Sequence, residues 1–238
     1  GRTKPIDIFG EPRLQEFISV NRKILNFNIN YQIIVHTIQN EGILVKEKDY
    51  LIKACYADHS ILAFSFILEE NNRPGVFNIE RAQQSGIPEG QLYTLLQRGV
   101  DIEYNGTQLL ARDFTGPSRP GRKVGISGDT RPSKKLEIFF RDCDVLVFES
   151  TFITPEKDKA IERFHSTALE ASLLAKIAKV KKLILTHFSS RYTNLKLIEM
   201  EAKKNFENIH IAHDNDVISV PYPEKELTKK NGRLEEIK

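Results

Sequence analysis

Between Lys123 and Tyr192 the chain repeats one pattern three times: a short apolar run, polar residues, then a helical-looking stretch. Lys123-Val124-Gly125-Ile126-Ser127 leads into Gly128-Asp129-Thr130, Asp144-Val145-Leu146-Val147-Phe148 into Glu149-Ser150-Thr151, and Lys182-Leu183-Ile184-Leu185-Thr186 into His187. Continuous apolar runs alternating with helices are the pattern of a parallel α/β sheet whose strands are buried on both faces. Ligands of such sheets bind beyond the carboxyl ends of the strands. Asp129, Glu149 and His187 therefore fall on one rim. His165 stands just before a helix start, at Thr167-Ala168-Leu169-Glu170, a capping-box pattern. A helix N-terminus favours anions. Metal-ligand and acid–base chemistry gathered on one rim marks a candidate site.

The chain before this region reads as strands over Pro5–Phe9, Tyr31–Ile38, Gly42–Val45, Tyr50–Ala57 and Ala63–Leu68, with a helix after Pro12 striped by Leu14, Phe17 and Ile18. His59 falls between two of these strands. An imidazole there is either a satisfied structural residue or a metal ligand. His36, inside Ile33-Ile34-Val35-His36-Thr37, is read as structural. Residues 71–122 are rich in Gly and Pro, with helical fragments at Ile79–Gln84 and Gln91–Gln97. Two readings stand: a mobile surface insertion, or an arm for a large substrate, with Arg73, Arg81, Arg98, Arg112, Arg119, Arg122 and Lys123 for phosphates and Phe77, Tyr93, Tyr104 and Phe114 for stacking. Helices are expected over Lys134–Phe140 and Leu195–Lys204, and strands over Ile209–Ala212 and Val217–Val220.

The length of 238 residues suits one large domain or two small ones. The net charge of +3 neither names nor excludes a polyanionic partner. Cys55 and Cys143 lie in no ligand spacing and read as buried thiols of a reducing compartment. With no signal peptide and no bilayer-length apolar run apparent, a cytoplasmic protein without a membrane span is expected. The chain begins at Gly1 without an initiator Met, which reads as a processed chain or a fragment.

Taken jointly, Ser127-Gly128-Asp129-Thr130-Arg131, Phe164-His165-Ser166-Thr167 and Leu185-Thr186-His187-Phe188-Ser189-Ser190-Arg191-Tyr192 stand in an order and spacing that resembles ribonuclease Z, a family of tRNA 3′-processing endonucleases in the metallo-β-lactamase superfamily. Asp58-His59-Ser60, Asp142-Cys143-Asp144-Val145-Leu146, and the arm words Arg73-Pro74-Gly75-Val76-Phe77-Asn78 and Gly86-Ile87-Pro88-Glu89-Gly90 are similar too. The resemblance implies an αββα four-layer sandwich, with two zinc ions per subunit, precursor tRNA as substrate and a homodimer. It implies that His59 and His187 ligate zinc and that Asp129 bridges both ions. His165, oriented by Glu149, would contact the scissile phosphate and protonate the leaving oxygen. Arg191, Ser166, Thr167, Gly90 and Arg98 would bind substrate. The implied organisation is a core over 1–70 and 114–221, an arm over 71–113 and a charged tail over 222–238.

The family's His-x-His-x-Asp-His cluster is absent from this sequence, so an N-terminal part of the fold and of the metal site is expected to lie outside it. The family's arm Gly-Pro pair reads Gly90-Gln91, and its His-Glu-Ala reads Phe148-Glu149-Ser150. The expected reaction is removal of the 3′ trailer from precursor tRNA, leaving a 3′-hydroxyl on the tRNA. The alternatives are another phosphodiesterase or nuclease on the same fold, or a metal-deficient RNA-binding subunit.

Overall fold

Strand β1 (Ile6–Gly10) runs into helix α1 (Leu14–Ile24) and pairs in parallel with β2 (Ile33–Thr37) in the computed structural model, which describes residues 1–26 and 28–222. Then come β3 (Gly42–Lys46), β4 (Tyr50–Tyr56) and β5 (Phe64–Glu70). A separate stretch holds α2 (Ile79–Gln84), α3 (Gln91–Gln97), β6 (Ile102–Tyr104) and β7 (Thr107–Leu109). The remainder is β8 (Lys123–Ile126), α4 (Lys134–Phe139), β9 (Val145–Glu149), α5 (Lys157–Glu162), α6 (Ala168–Ile177), β10 (Lys182–Thr186), α7 (Lys196–Lys203) and β11 (Ile209–Ile211). The chain forms two compact units: Gly1–Glu69 with the chain from Arg122, and Glu70–Gly121. The tail expected over 222–238 lies, beyond Tyr222, outside the described residues.

The first unit is built on a seven-stranded sheet in the order β11-β10-β9-β8-β5-β4-β3. Strands β8 to β11 are parallel, as the apolar runs suggest, but β8 is not buried on both faces, since its last residue Ile126 is 49% exposed. The sheet turns antiparallel at β5, which pairs with β8 from Phe66↔Ile126 to Glu69↔Lys123. Antiparallel neighbours can be joined at one end, so the whole second unit is a long excursion in the β5–β8 connection. The core lies on the face of β9 and β10 that α4, α6 and α7 cover. Leu146, Phe148, Leu183 and Leu185 are fully buried with Leu136 and Phe140 from the α4 segment, Ala171 and Ala175 from α6, and Ile198 and Ala202 from α7. Burying one such large apolar side chain contributes about 1.5–3 kcal/mol, which fixes the strand order that carries the rim.

The second unit has its own small core of Ala82, Ile87, Leu96, Ile102, Ala111 and Phe114. Asn78 caps α2, its side chain accepting from the Arg81 amide. Residues 114–121 pack with this unit rather than with the core, because Phe77 bridges Thr115 and Arg73 bridges Arg119. A Cβ on Gly75 would strike the Gly116 carbonyl, so glycine is required at that approach.

Three local expectations change. No strand forms over Val217–Val220: Val217 is 92% exposed, and the segment has no ladder partner among the described residues. Strands β6 and β7 were not expected. Their turn is Asn105-Gly106, both at positive φ (51° and 74°), the pattern of a two-residue hairpin turn. Helix α5 is also additional, and it ends ahead of Phe164 in the left-handed region at φ 58°.

Candidate active site

Register decides what meets at the rim. Glu149, the last residue of β9, lies opposite Thr186, the last of β10, so His187 leaves the sheet beside it. Strand β8 ends opposite Val147, which brings Gly128 and Asp129 out at the same level. Gly128 turns the chain there at φ +61°, and a Cβ on it would come within 2.9 Å of the Phe64 carbonyl oxygen. His187 itself holds a positive φ of 58°, an uncommon conformation for a non-glycine residue that concentrates at functional sites.

Glu149 is 1% exposed and its carboxylate accepts five hydrogen bonds. Oε1 takes the Thr130 amide at 3.0 Å and His165 Nδ1 at 2.8 Å. Oε2 takes the Thr151 amide at 3.2 Å, the Thr151 hydroxyl at 2.8 Å and the Ser166 amide at 3.0 Å. A carboxylate only accepts, and donors from three segments converge on this one. The Glu149–His165 bond fixes the orientation of the imidazole through its Nδ1.

His59 is set by two other segments. The Arg131 amide donates to the Asp58 carbonyl at 2.8 Å, and the Asp58 amide donates to Thr130 Oγ1 at 2.9 Å. The His59 ring donates from Nδ1 to the Phe164 carbonyl at 3.0 Å, the kind of contact that orients a ligating imidazole. The rings of His59 and His165 lie 5.1 Å apart, as do those of His165 and His187. Asp129 Oδ2 is 3.5 Å from His187 Nε2. Ligand-type atoms of His59, Asp129 and His165 lie within 4.8 Å of one another, and so do those of Glu149, His165 and His187. The second trio is a hydrogen-bonded network, since Glu149 has both oxygens engaged by donors. Imidazole nitrogens around a carboxylate oxygen are a donor set that fits a divalent metal such as zinc.

The residues expected to bind substrate divide. Ser166 and Thr167 are buried, and both side chains are used inside the protein. Ser166 Oγ donates to the Thr130 carbonyl at 2.6 Å, and Thr167 caps α6 in a full capping box with Glu170. They build the loop that carries His165. Arg191 is partly exposed, lies over the Phe152 ring 5.1 Å from its centroid, and pairs with Glu156. Glu156 also accepts from Tyr192, and that bond, with Lys159 and Arg191, holds its carboxyl down to about 2. Gly90 and Arg98 belong to the second unit, at the N-terminal and C-terminal ends of α3, with Gly90 at φ 129°.

The sequence reading gave no site role to Arg131, Thr151 or Glu201 and saw Glu170 only as a capping residue. Arg131 NH1 donates to the His165 carbonyl, and its two terminal nitrogens grip Glu170. Burial works against ionisation of Glu170, but the Arg131 pair and the Thr167 amide outweigh it and hold its carboxyl below the ordinary range. Thr151 links Glu149 to His187. Glu201 on α7 accepts the amides of Thr154 and Leu169, tying α7 to the start of α6. Arg131 and Thr151 stood inside the motif words, two positions after Asp129 and Glu149, with no sign there of what they bind.

A parallel strand rim bearing imidazoles and carboxylates, on a mixed sheet of this order, defines a metallo-β-lactamase-fold protein. The fold is similar to that of the short form of human tRNase Z, with a TM-score of 0.60 at 22% identity over 91% of this chain and 68% of that one. It is also similar to the Bacillus subtilis metallo-beta-lactamase fold protein YhfI, with a TM-score of 0.53 at 15% identity over 87% and 62%. No family model matches. The chain is 48% identical over 213 residues to ribonuclease Z of Nitrosopumilus maritimus, covering 90% of this chain and 71% of the relative. It is 38% identical over 224 residues to ribonuclease Z of Methanosarcina acetivorans, covering 93% and 73%. The chain belongs to the ribonuclease Z family of endoribonucleases.

Proposed function

We propose that this protein removes the 3′ trailer from precursor tRNA in a zinc-dependent reaction that leaves a 3′-hydroxyl on the tRNA. The observation that carries the reading is His165 held by a buried Glu149 beside His59, Asp129 and His187. The family supports the substrate class, since relatives at 48% and 38% identity are ribonucleases Z.

His59, Asp129 and His187 would hold metal, with Asp129 within reach of both imidazoles. A pair of divalent ions there supplies Lewis-acid neutralisation of the scissile phosphate. The protein's own residues do the rest. Glu149 fixes the His165 ring through Nδ1, so Nε2 faces the rim. From there it would hydrogen-bond the scissile phosphate and give its proton to O3′ as the P–O3′ bond breaks; water's oxygen bonds to phosphorus, and the proton that water sheds passes to solvent, from which His165 is reprotonated. The tRNA keeps the hydroxyl and the trailer keeps the phosphate. A general acid of this kind typically contributes about 10²–10⁴-fold. Arg191 supplies positive charge over Phe152 for an adjoining phosphate. Arg81, Arg98 and Arg112 make the second unit an arm for the body of the tRNA, with Gly90 at its α3 turn. The protein works as a cytoplasmic homodimer; no helix among the described residues is long and apolar enough to cross a membrane.

The test is cleavage of a precursor tRNA with a defined trailer. A tRNA ending in a 3′-hydroxyl and a trailer with a 5′-phosphate are expected, with about two zinc ions per subunit in the full-length protein. Hydrolysis of small phosphodiesters without cleavage of precursor tRNA would overturn the substrate assignment.

A further inference from the structure

Thr151 is 7% exposed, and its hydroxyl stands between two side chains of the rim. Oγ1 lies 2.8 Å from Glu149 Oε2 and 2.8 Å from His187 Nδ1. The residue is fixed on both sides: its amide donates to Glu149 Oε2 at 3.2 Å, and its carbonyl accepts the Ser189 amide at 3.2 Å. A hydroxyl has one proton to give. The Glu149 carboxylate only accepts, so that proton points to Oε2. The hydroxyl lone pair must then accept from His187, which places an imidazole proton on Nδ1 and leaves Nε2 as the nitrogen open to a ligand. That nitrogen faces Asp129 Oδ2 at 3.5 Å.

We propose that Thr151 is a positioning residue that sets the His187 tautomer and aims its Nε2 at the metal. Through it one buried carboxylate serves both imidazoles: Glu149 Oε1 holds His165 directly, and Oε2 holds His187 through the hydroxyl. The metal half of this assignment rests on the function proposed above; the tautomer half does not.

The test begins with the metal-free wild-type protein. Long-range proton–nitrogen correlation spectra, taken above the titration range of imidazole, should show the His187 proton on Nδ1. A proton on Nε2 would overturn the proposal. Thr151→Val removes the hydroxyl with little change of shape. It should move the proton toward Nε2 and weaken zinc affinity by about 10–100-fold, the usual effect of removing a partner behind a ligating histidine. Thr151→Ser keeps the hydroxyl and should retain both tautomer and affinity. Equal affinity in wild type and Thr151→Val, or a Thr151→Ser as weak as Thr151→Val, would overturn it. The wild-type tautomer and the Ser variant decide the matter even where the Val variant folds poorly. A wild-type protein with Nδ1–H on His187 that takes up no zinc would count against the metal reading alone.

Discussion

The Arg131 guanidinium holds the Glu170 carboxylate with both terminal nitrogens, at 2.9 and 2.5 Å, with the two side chains only 15% and 14% exposed. The same arginine reaches the His165 carbonyl, and its amide holds Asp58. It therefore ties together the loops that carry His59, Asp129 and His165. Removing one partner of a largely buried pair leaves the other charge uncompensated. Arg131→Ala should cost about 3 kcal/mol in urea unfolding. Arg131→Lys should recover only part of this, because an ammonium cannot make the planar two-point contact.

The same pair sets a pH dependence. The folded-state carboxyl of Glu170 sits below its ordinary value of 4.5. Its contribution is therefore complete above that value and is lost as pH falls through the lower folded-state one. Unfolding free energy measured from neutral pH downward should decline in that acid window. Glu170→Gln should show a shallower decline, and an unchanged slope would remove Glu170 from the account.

His165→Ala should lower turnover on precursor tRNA by about 10²–10⁴-fold with zinc content retained. If His165 and Glu149 act as one unit, the double variant with Glu149→Ala should be little worse than His165→Ala alone. A substrate with sulfur as the leaving atom needs less protonation and should partly rescue His165→Ala. Additive losses without rescue would leave His165 as a phosphate anchor only.

Gly128→Ala probes the turn that delivers Asp129. The backbone there is left-handed, and the new methyl would meet the Phe64 carbonyl oxygen at 2.9 Å. Left-handed backbone costs a non-glycine residue about 1–2 kcal/mol before any clash. The variant should lose at least that in stability. Its zinc uptake should also fall if Asp129 is a ligand.

Glu70 and Gly121 approach closely, since a Cβ on Gly121 would strike the Glu70 carbonyl oxygen. Residues 71–120 can therefore be replaced by a short linker without stretching β5 or β8. The shortened protein should keep hydrolysis of a small phosphodiester and bind precursor tRNA more weakly. Unchanged tRNA affinity would remove the second unit from substrate binding.

The sequence by itself determined the strands and their carboxyl ends. Runs such as Val145–Phe148 and Leu183–Leu185 are too apolar for a solvated strand, and chain direction then puts Glu149 and His187 at the exits. It also held the hairpin turn at Asn105-Gly106, where the residue pair alone specifies the turn. It could not give the antiparallel switch at β5, because pairing direction depends on which strand the long connection returns to. Nor could it foresee that Val217–Val220 lacks a partner strand, since alternation describes a residue's neighbours and not the presence of an edge to join. The site divides the same way. Residue types and strand ends can be read along the chain. The bonds from Arg131 to His165, from Thr151 to His187 and from Glu149 to three segments join residues 2 to 36 positions apart. Hydrogen bonds act over about 3 Å of space, and only the register of β8, β9 and β10 brings those atoms within that distance.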